Sequence, residues 1–338
     1  MTTTRAFLGR HLLGRRCLGH SLLGGALLAG AARPAAAQGA WPSRPVRMMV
    51  GFAPGGFTDI VARAVAEQYA AELGQPFVIE SRSGASGTIA TNAVAKSAPD
   101  GGVLLFGHST PNAVAAALFS NLPYDPLRDL TPIAQIAVHP HLLVVPASSP
   151  FTSVEQLIAA AKKNPGSITY SSAGIGSVHH LACATLAQKA GVELTHVPYR
   201  GSAPAMADLL AGRVSMTIDG VSAVAPQIAE GKLRPLAAGT LARIARYPEL
   251  PTLQQLGYGD IDAMSWVGVF GPPGLPQPIV DRLVAASDRA MQAPAMIKVI
   301  EDGGSLPASR RTAEFRDFVA LEIERYKAVL GEGKIALE

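Results

Sequence analysis

Short apolar runs alternate along most of this chain with stretches whose apolar residues recur every three or four positions. That alternation of strand and helix periods limits the fold more than any other feature. VRMMVGF (46–52), PFVIE (76–80) and GVLLFGH (102–108) read as buried strands, and extended chain follows from ThrProIle to HLLVVP (131–146). SITYSS (167–172), LTHVPY (194–199), SMTIDG (215–220), LRPLAAGT (233–240) and SWVGVFGPP (265–273) continue the series. Between them, Ile60, Val61, Ala64, Val65 and Tyr69 fall on one helical face, and Ala203, Met206, Ala207 and Leu210 on another. Thr152 and Glu155 form a capping box for a helix, another helix is expected around 222–230, and the tail is helical from about Thr312 to Leu330. Strands alternating with helices imply an α/β architecture with mostly parallel sheets. The roughly nine strands fall into two clusters without a tandem repeat, which points to two lobes with a ligand cleft between them and C-terminal helices returning to the first.

Two places where a strand hands over to a helix are rich in glycine. Gly55-Gly56-Phe57-Thr58-Asp59 follows the first strand of the first cluster, and Gly174-Ile175-Gly176-Ser177 follows the first strand of the second. Thr58 and Ser177 are natural N-caps. Glycine lets backbone approach a bound group closely, and a helix start offers unpaired N–H donors with a partial positive charge. Two such sites on opposite lobes suit the two ends of a small carboxylate, with no lysine or arginine required.

Neither handover matches a nucleotide P-loop or a dinucleotide fingerprint, and the chain contains no G-x-S-x-G, H-E-x-x-H or C-x-x-C. His179 and His180 are adjacent on a helix and point in different directions, which disfavours a metal. No metal, cofactor or nucleophilic chemistry is expected.

The N-terminus reads as an export signal. Arg5, Arg10, Arg15 and Arg16 precede an apolar stretch, Leu18 to Ala32, and an Ala35-Ala36-Ala37 site before Gln38. The Arg15-Arg16 pair hints at a twin-arginine route. A signal over residues 1–37 holds five of the 29 Lys+Arg and none of the 25 Asp+Glu, so the mature chain has 24 basic and 25 acidic residues and a net charge of −1. A basic surface for nucleic acid is therefore not expected. Only Cys183 remains after cleavage, so no intramolecular disulfide forms, and its expected role is core filler.

An ordered series of motifs runs from Trp41 to the C-terminus: PVRMMVGFAPGGFTDIVAR, SRSGASGTIA, SAPDGGVLLFG, DLTPIAQIA, YSSAGIGSVHHLA, HVPYRGSAPAMADLLAGRV, IAEGKLRPLAAGT, YPELPTL and WVGVFGPPGLP. In this series the chain resembles the Bug-type periplasmic solute-binding proteins of tripartite tricarboxylate transporters. The resemblance implies a two-lobed type II periplasmic binding fold that closes on a small organic acid. It also implies a carboxylate held by backbone amides and water at the two glycine loops, and delivery to the membrane components of a transporter. Carried across, it implicates Gly55, Gly56, Thr58 and Asp59, with Gly174, Gly176 and Ser177 opposite. The family's Asn-Arg-Pro-Gly reads Ser81-Arg82-Ser83-Gly84 here, Gln255 takes a glutamate position, and Phe57 stands where a small residue or proline is usual.

The expected lobes are 41–142 with 263–338, and 143–262, in a monomer. Ser109 and Thr110 end the third strand at the cleft and serve either as ligand contacts or as a helix cap. Asp219 either accepts from a ligand donor or caps, His180 either braces its loop or meets the ligand, and Arg200 pairs either with a carboxylate or across the surface. Replacing Gly56 or Gly176 is expected to weaken binding while sparing the fold. Phe57 is read as a cover for an aromatic or hydrophobic ligand body, or as rim packing. A ligand sensor presenting its closed form to a signalling protein has the same site, and a periplasmic enzyme is the remaining rival.

Overall fold

The computed structural model describes residues 41–332, and the expected export signal lies outside them. Ten strands are β1 Val46–Val50, β2 Phe77–Ser81, β3 Val103–His108, β4 Thr131–Pro146, β5 Thr169–Ser172, β6 Thr195–Pro198, β7 Met216–Gly220, β8 Leu233–Ala238, β9 Met264–Gly271 and β10 Leu306–Pro307. Ten α-helices are α1 Phe57–Leu73, α2 Thr88–Ala95, α3 Ala115–Leu118, α4 Val154–Lys163, α5 Val178–Ala190, α6 Ser202–Leu210, α7 Val221–Ala229, α8 Gln277–Ala290, α9 Pro294–Asp302 and α10 Thr312–Glu332. None of the described helices is long and apolar enough to cross a membrane.

One continuous path of strands, β2-β1-β3-β9-β4-β7-β5-β6, builds both halves, with β8 and β10 also pairing β4. β4 is the shared element. It pairs antiparallel with β9 from Thr131 to Pro140, and with β7 from His141. β1 is parallel to β2 and β3, and β5 to β6 and β7. The sheet is thus mixed rather than mostly parallel, and the reason is topological. β4 carries the chain out of the first half and β9 brings it back, so these neighbours must run in opposite directions. The strand pair that joins the halves is also the floor between them.

One buried cluster runs through both halves, from Met49 and Leu105 to Leu143, Ile168 and Met216, and each half adds a core cluster of its own. In the first, Met48, Val50, Val61, Val65, Tyr69 and Phe106 pack with Val269 and Leu283. In the second, Leu142, Val144, Leu209 and Val224 form a separate cluster. Trp266 on β9 lies edge-on to Phe315 and Phe318 of α10, with ring centroids 5.5 and 5.7 Å apart, and its Nε1–H donates to Glu322. α10 thereby seals the strand pair from behind, while α8 and α9 pack on α1. Cys183 is fully buried in the core, and burial pushes its thiol upward, away from thiolate chemistry.

Local details depart from the sequence reading in three places. The α4 capping box sits one residue later than Thr152 and Glu155. Ser153 accepts from the Gln156 N–H, and the Gln156 side chain accepts from the Thr152 N–H. In α6 the buried residues are Ala205, Met206 and Leu209, whereas Ala203, Ala207 and Leu210 face outward. In α1, Ile60 is exposed while Val61, Val65 and Tyr69 are buried, so the apolar stripe begins one residue later than its periodicity indicates.

Candidate functional site

The two glycine handovers have the same construction, residue by residue. Gly55 and Gly176 adopt φ of +87° and +73°, the left-handed region that favours glycine. The next residues, Gly56 and Ser177, are the N-caps of α1 and α5, both extended. Three residues into each helix a side chain reaches back. Asp59 Oδ2 accepts the Gly55 N–H at 3.0 Å, and His180 Nδ1 accepts the Gly176 N–H at 3.1 Å. Ser177 Oγ also accepts the His180 N–H, a reciprocal box in which histidine takes the place of glutamate. The expected Thr58 cap is therefore corrected: Thr58 is the second helical residue and is buried, and Gly56 holds the cap position. In both loops the amides of the first helical turn lack a helical carbonyl acceptor at a positive helix end, and in α5 the His180 amide is already taken by Ser177 Oγ.

The loops meet at a cavity of about 380 Å³. Gly55, Gly56, Phe57, Thr58 and Thr110 line it from one side, and Ser177, Arg200 and Asp219 from the other. Gly174 lines a broader cavity of about 1070 Å³ alongside, which shares Phe52, Ala173, Arg200 and Gly201. The smaller cavity is the candidate site, because both helix starts and the buried polar groups converge there. Ser86 Oγ–H donates to the Ile175 carbonyl at 3.0 Å beside it, tying a first-half loop to a second-half loop.

Asp59, Ser109 and Gly176 sit behind the wall. Asp59 is held by Arg63 at 2.9 and 3.0 Å. Burial alone would raise its carboxyl, but bonds from Arg63 and Gly55 hold it below the usual range. Ser109 is fully buried, its Oγ 3.4 Å from His108 Nδ1. A Cβ on Gly176 would come within 2.6 Å of Leu118, in addition to the strain of its positive φ. Replacing that glycine is therefore expected to strain the loop as well as weaken binding. Gly56, at φ −82°, has open space around it.

Sequence reasoning missed the floor. His108 ends β3, His139 and His141 lie on β4 where its partner changes, and His179 opens α5; all four line the cavity. The pattern His-Pro-His in a strand places both imidazoles on one face, and that was the available signal. Phe57 stacks on His139 at 4.0 Å and 9° between planes. Hydrogen bonds fix two protons: His141 Nδ1 must donate to the Ala263 carbonyl (2.8 Å), and His108 Nδ1 accepts the Thr110 N–H (3.1 Å). Burial drives His108 and His141 down to about 3, and His139 well below its ordinary value, so these rings are neutral at pH 7.

Asp219 is the buried anion of the site. Oδ1 accepts from His179 Nε2 (2.8 Å) and the Gly220 N–H (2.7 Å), and Oδ2 from Ser202. Burial alone would raise its carboxyl, but the neighbouring His179 and these bonds hold it well below the carboxylate range. Ser202 bonds to the carboxylate and not to an imidazole, and His139 lies between Ser222 and Ser305, so no carboxylate-oriented hydroxyl–imidazole pair forms among the residues lining the cavity. Among the described residues no group of three His, Cys, Asp or Glu is arranged to hold a metal ion. His180 stacks on His196 at 4.1 Å and braces its loop.

A two-lobed α/β frame with paired helix starts over one cavity defines a solute-binding receptor. Comparison with known proteins gives the family. Residues 61–335 match the tripartite tricarboxylate transporter family receptor model, and the chain belongs to that family. It is 37% identical to protein BugT of Bordetella pertussis, across 86% of this chain and 90% of that one. Among solved structures, the periplasmic binding protein BugD superposes with a TM-score of 0.82 at 32% identity, covering 88% of this chain and 99% of BugD. MatC of Rhodopseudomonas palustris with bound malate gives 0.81 at 34% identity, covering 86% and 100%. The family is one of receptors.

Proposed function

We propose that this chain is a periplasmic receptor that captures a small organic carboxylate between its lobes and hands it to the membrane components of a tripartite tricarboxylate-type transporter. Export by a signal cleaved after Ala37 belongs to the same reading. The observation that carries it is the matched pair of handovers, each presenting first-turn amides to one cavity from opposite sides. A carboxylate accepts from such amides, and a ligand that bridges both lobes favours the closed arrangement by its contacts to each. Malate bound to a relative of similar fold supports the ligand class.

A thermal-shift screen of carboxylates, sugars and amines tests it on wild type and Gly56→Val. At a hundredfold excess over Kd, a ligand of the native state stabilises by about 2.7 kcal/mol, which moves the midpoint by several degrees. Carboxylates alone are expected to produce that shift. Gly56→Val is expected to fold with a somewhat lower midpoint, since valine is a poorer N-cap than glycine, and to lose at least tenfold in affinity. A shift from sugars or amines but no carboxylate, or an unaffected Gly56→Val, contradicts the reading.

A further inference from the structure

The inner face of the cavity is a run of flat rings. Phe57 stacks on His139, the His139 and His141 centroids are 5.5 Å apart, and those of His141 and His179 are 5.0 Å apart. Neutral imidazoles are aromatic surface, and a planar ligand body packs on them by offset or edge contacts. The buried His139 and His141 rings supply no positive charge. Among the lining residues the formal charges are Arg200 and Asp219, with His179 paired to the aspartate. A second or third ligand carboxylate would be set against neutral rings and a buried anion.

The floor also holds polar atoms without a protein partner. Ser265 is 1% exposed, lines the cavity, and its Oγ makes no hydrogen bond; its register partner across the β4–β9 ladder is His139. His179 Nδ1 is likewise buried and unbonded. With Nδ1 of His141 committed to a carbonyl, its Nε2 is left as an acceptor. A buried hydroxyl without a partner is costly, so the ligand is the natural source of one. A group that both donates and accepts serves a serine hydroxyl and an imidazole lone pair together, and an alcohol or phenol oxygen is such a group.

We propose that the preferred ligand is a hydroxylated aromatic monocarboxylate, its carboxylate at the glycine loops and its ring hydroxyl at the Ser265 and histidine floor. This rests on the carboxylate-receptor reading and specifies its ligand. A cavity of about 380 Å³ is of the size for one small ring acid.

The test is isothermal titration with 3-hydroxybenzoate, 4-hydroxybenzoate, benzoate, malate, adipate and citrate. One of the hydroxybenzoates is expected to bind about fivefold tighter than benzoate, the effect of one added hydrogen bond, and at least tenfold tighter than malate, adipate or citrate. Ser265→Ala removes one buried hydroxyl and leaves packing intact. It is expected to bring the hydroxybenzoate within twofold of benzoate. Tightest binding by an aliphatic acid, equal binding of benzoate and both hydroxybenzoates, or an undiminished hydroxyl advantage in Ser265→Ala overturns the inference and leaves the receptor reading standing. Failure of all six acids to bind overturns both.

Discussion

Asp219→Ala is expected to destabilise the protein by about 3–5 kcal/mol at pH 7, because it leaves three donors in the cavity wall without their acceptor, at about 1–3 kcal/mol each. Asp219 is 3% exposed and accepts from the His179 ring, the Ser202 hydroxyl and its neighbour's amide. Alanine offers none of these an acceptor, and the cavity left behind is walled by α5, α6 and β7. The interaction is thus a tie among three elements of the second lobe as well as part of the ligand floor. Asp219→Asn keeps the volume but puts an amide N–H where an acceptor is needed, and its expected loss is smaller, about 1–3 kcal/mol. Urea unfolding of the two variants measures both. A loss below 1 kcal/mol for Asp219→Ala would mean that His179 and Ser202 find other partners readily.

Mild acid is expected to destabilise the protein well before the carboxylates titrate. His108 and His141 are held near 3, His180 and His196 near 4, and His139 well below its ordinary value, in each case with burial as the leading cause. In the unfolded chain these rings titrate near 6.5. The folded state therefore binds fewer protons between about pH 6.5 and pH 4, and stability falls as pH falls through that window. Near pH 5 each such histidine contributes a slope of up to about 1.4 kcal/mol per pH unit. The lowered carboxyls of Asp59 and Asp219 act in the same direction, but only below about pH 4. Unfolding midpoints from pH 7.5 to pH 5 should drop steadily, and His141→Gln should flatten the slope. A flat profile over that range would show that the floor imidazoles take up protons in the native state.

How much of this was legible in the sequence varies with the physics of each feature. The strand–helix alternation survives because apolar periodicity directly reflects burial. The two glycine handovers were visible for the same reason that they matter, since positive φ at Gly55 and Gly176 selects glycine. The Thr58 cap was misplaced because residue preference ranks threonine with the good caps. Here Asp59 instead reaches back to Gly55 and fixes the turn one step earlier, where the capping residue has no side chain. The two crossings between lobes were expected, but that β4 and β9 lie side by side as an antiparallel pair was not legible, because strand adjacency is set by tertiary packing. The histidine floor was hidden by the same circumstance. His139-Pro140-His141 says that two imidazoles share a face, but which face becomes the cavity is decided where β4 exchanges β9 for β7.

The central claim is that a carboxylate closes the two lobes by bridging the paired helix starts. Small-angle X-ray scattering on the mature protein, titrated with the tightest-binding carboxylate of the calorimetric series, tests this most directly. The radius of gyration is expected to fall with ligand, to saturate with the calorimetric affinity, and to end on the curve of the arrangement in which Ser86 is held to Ile175. A carboxylate that binds with measurable heat and leaves the scattering curve unchanged at saturation would contradict it.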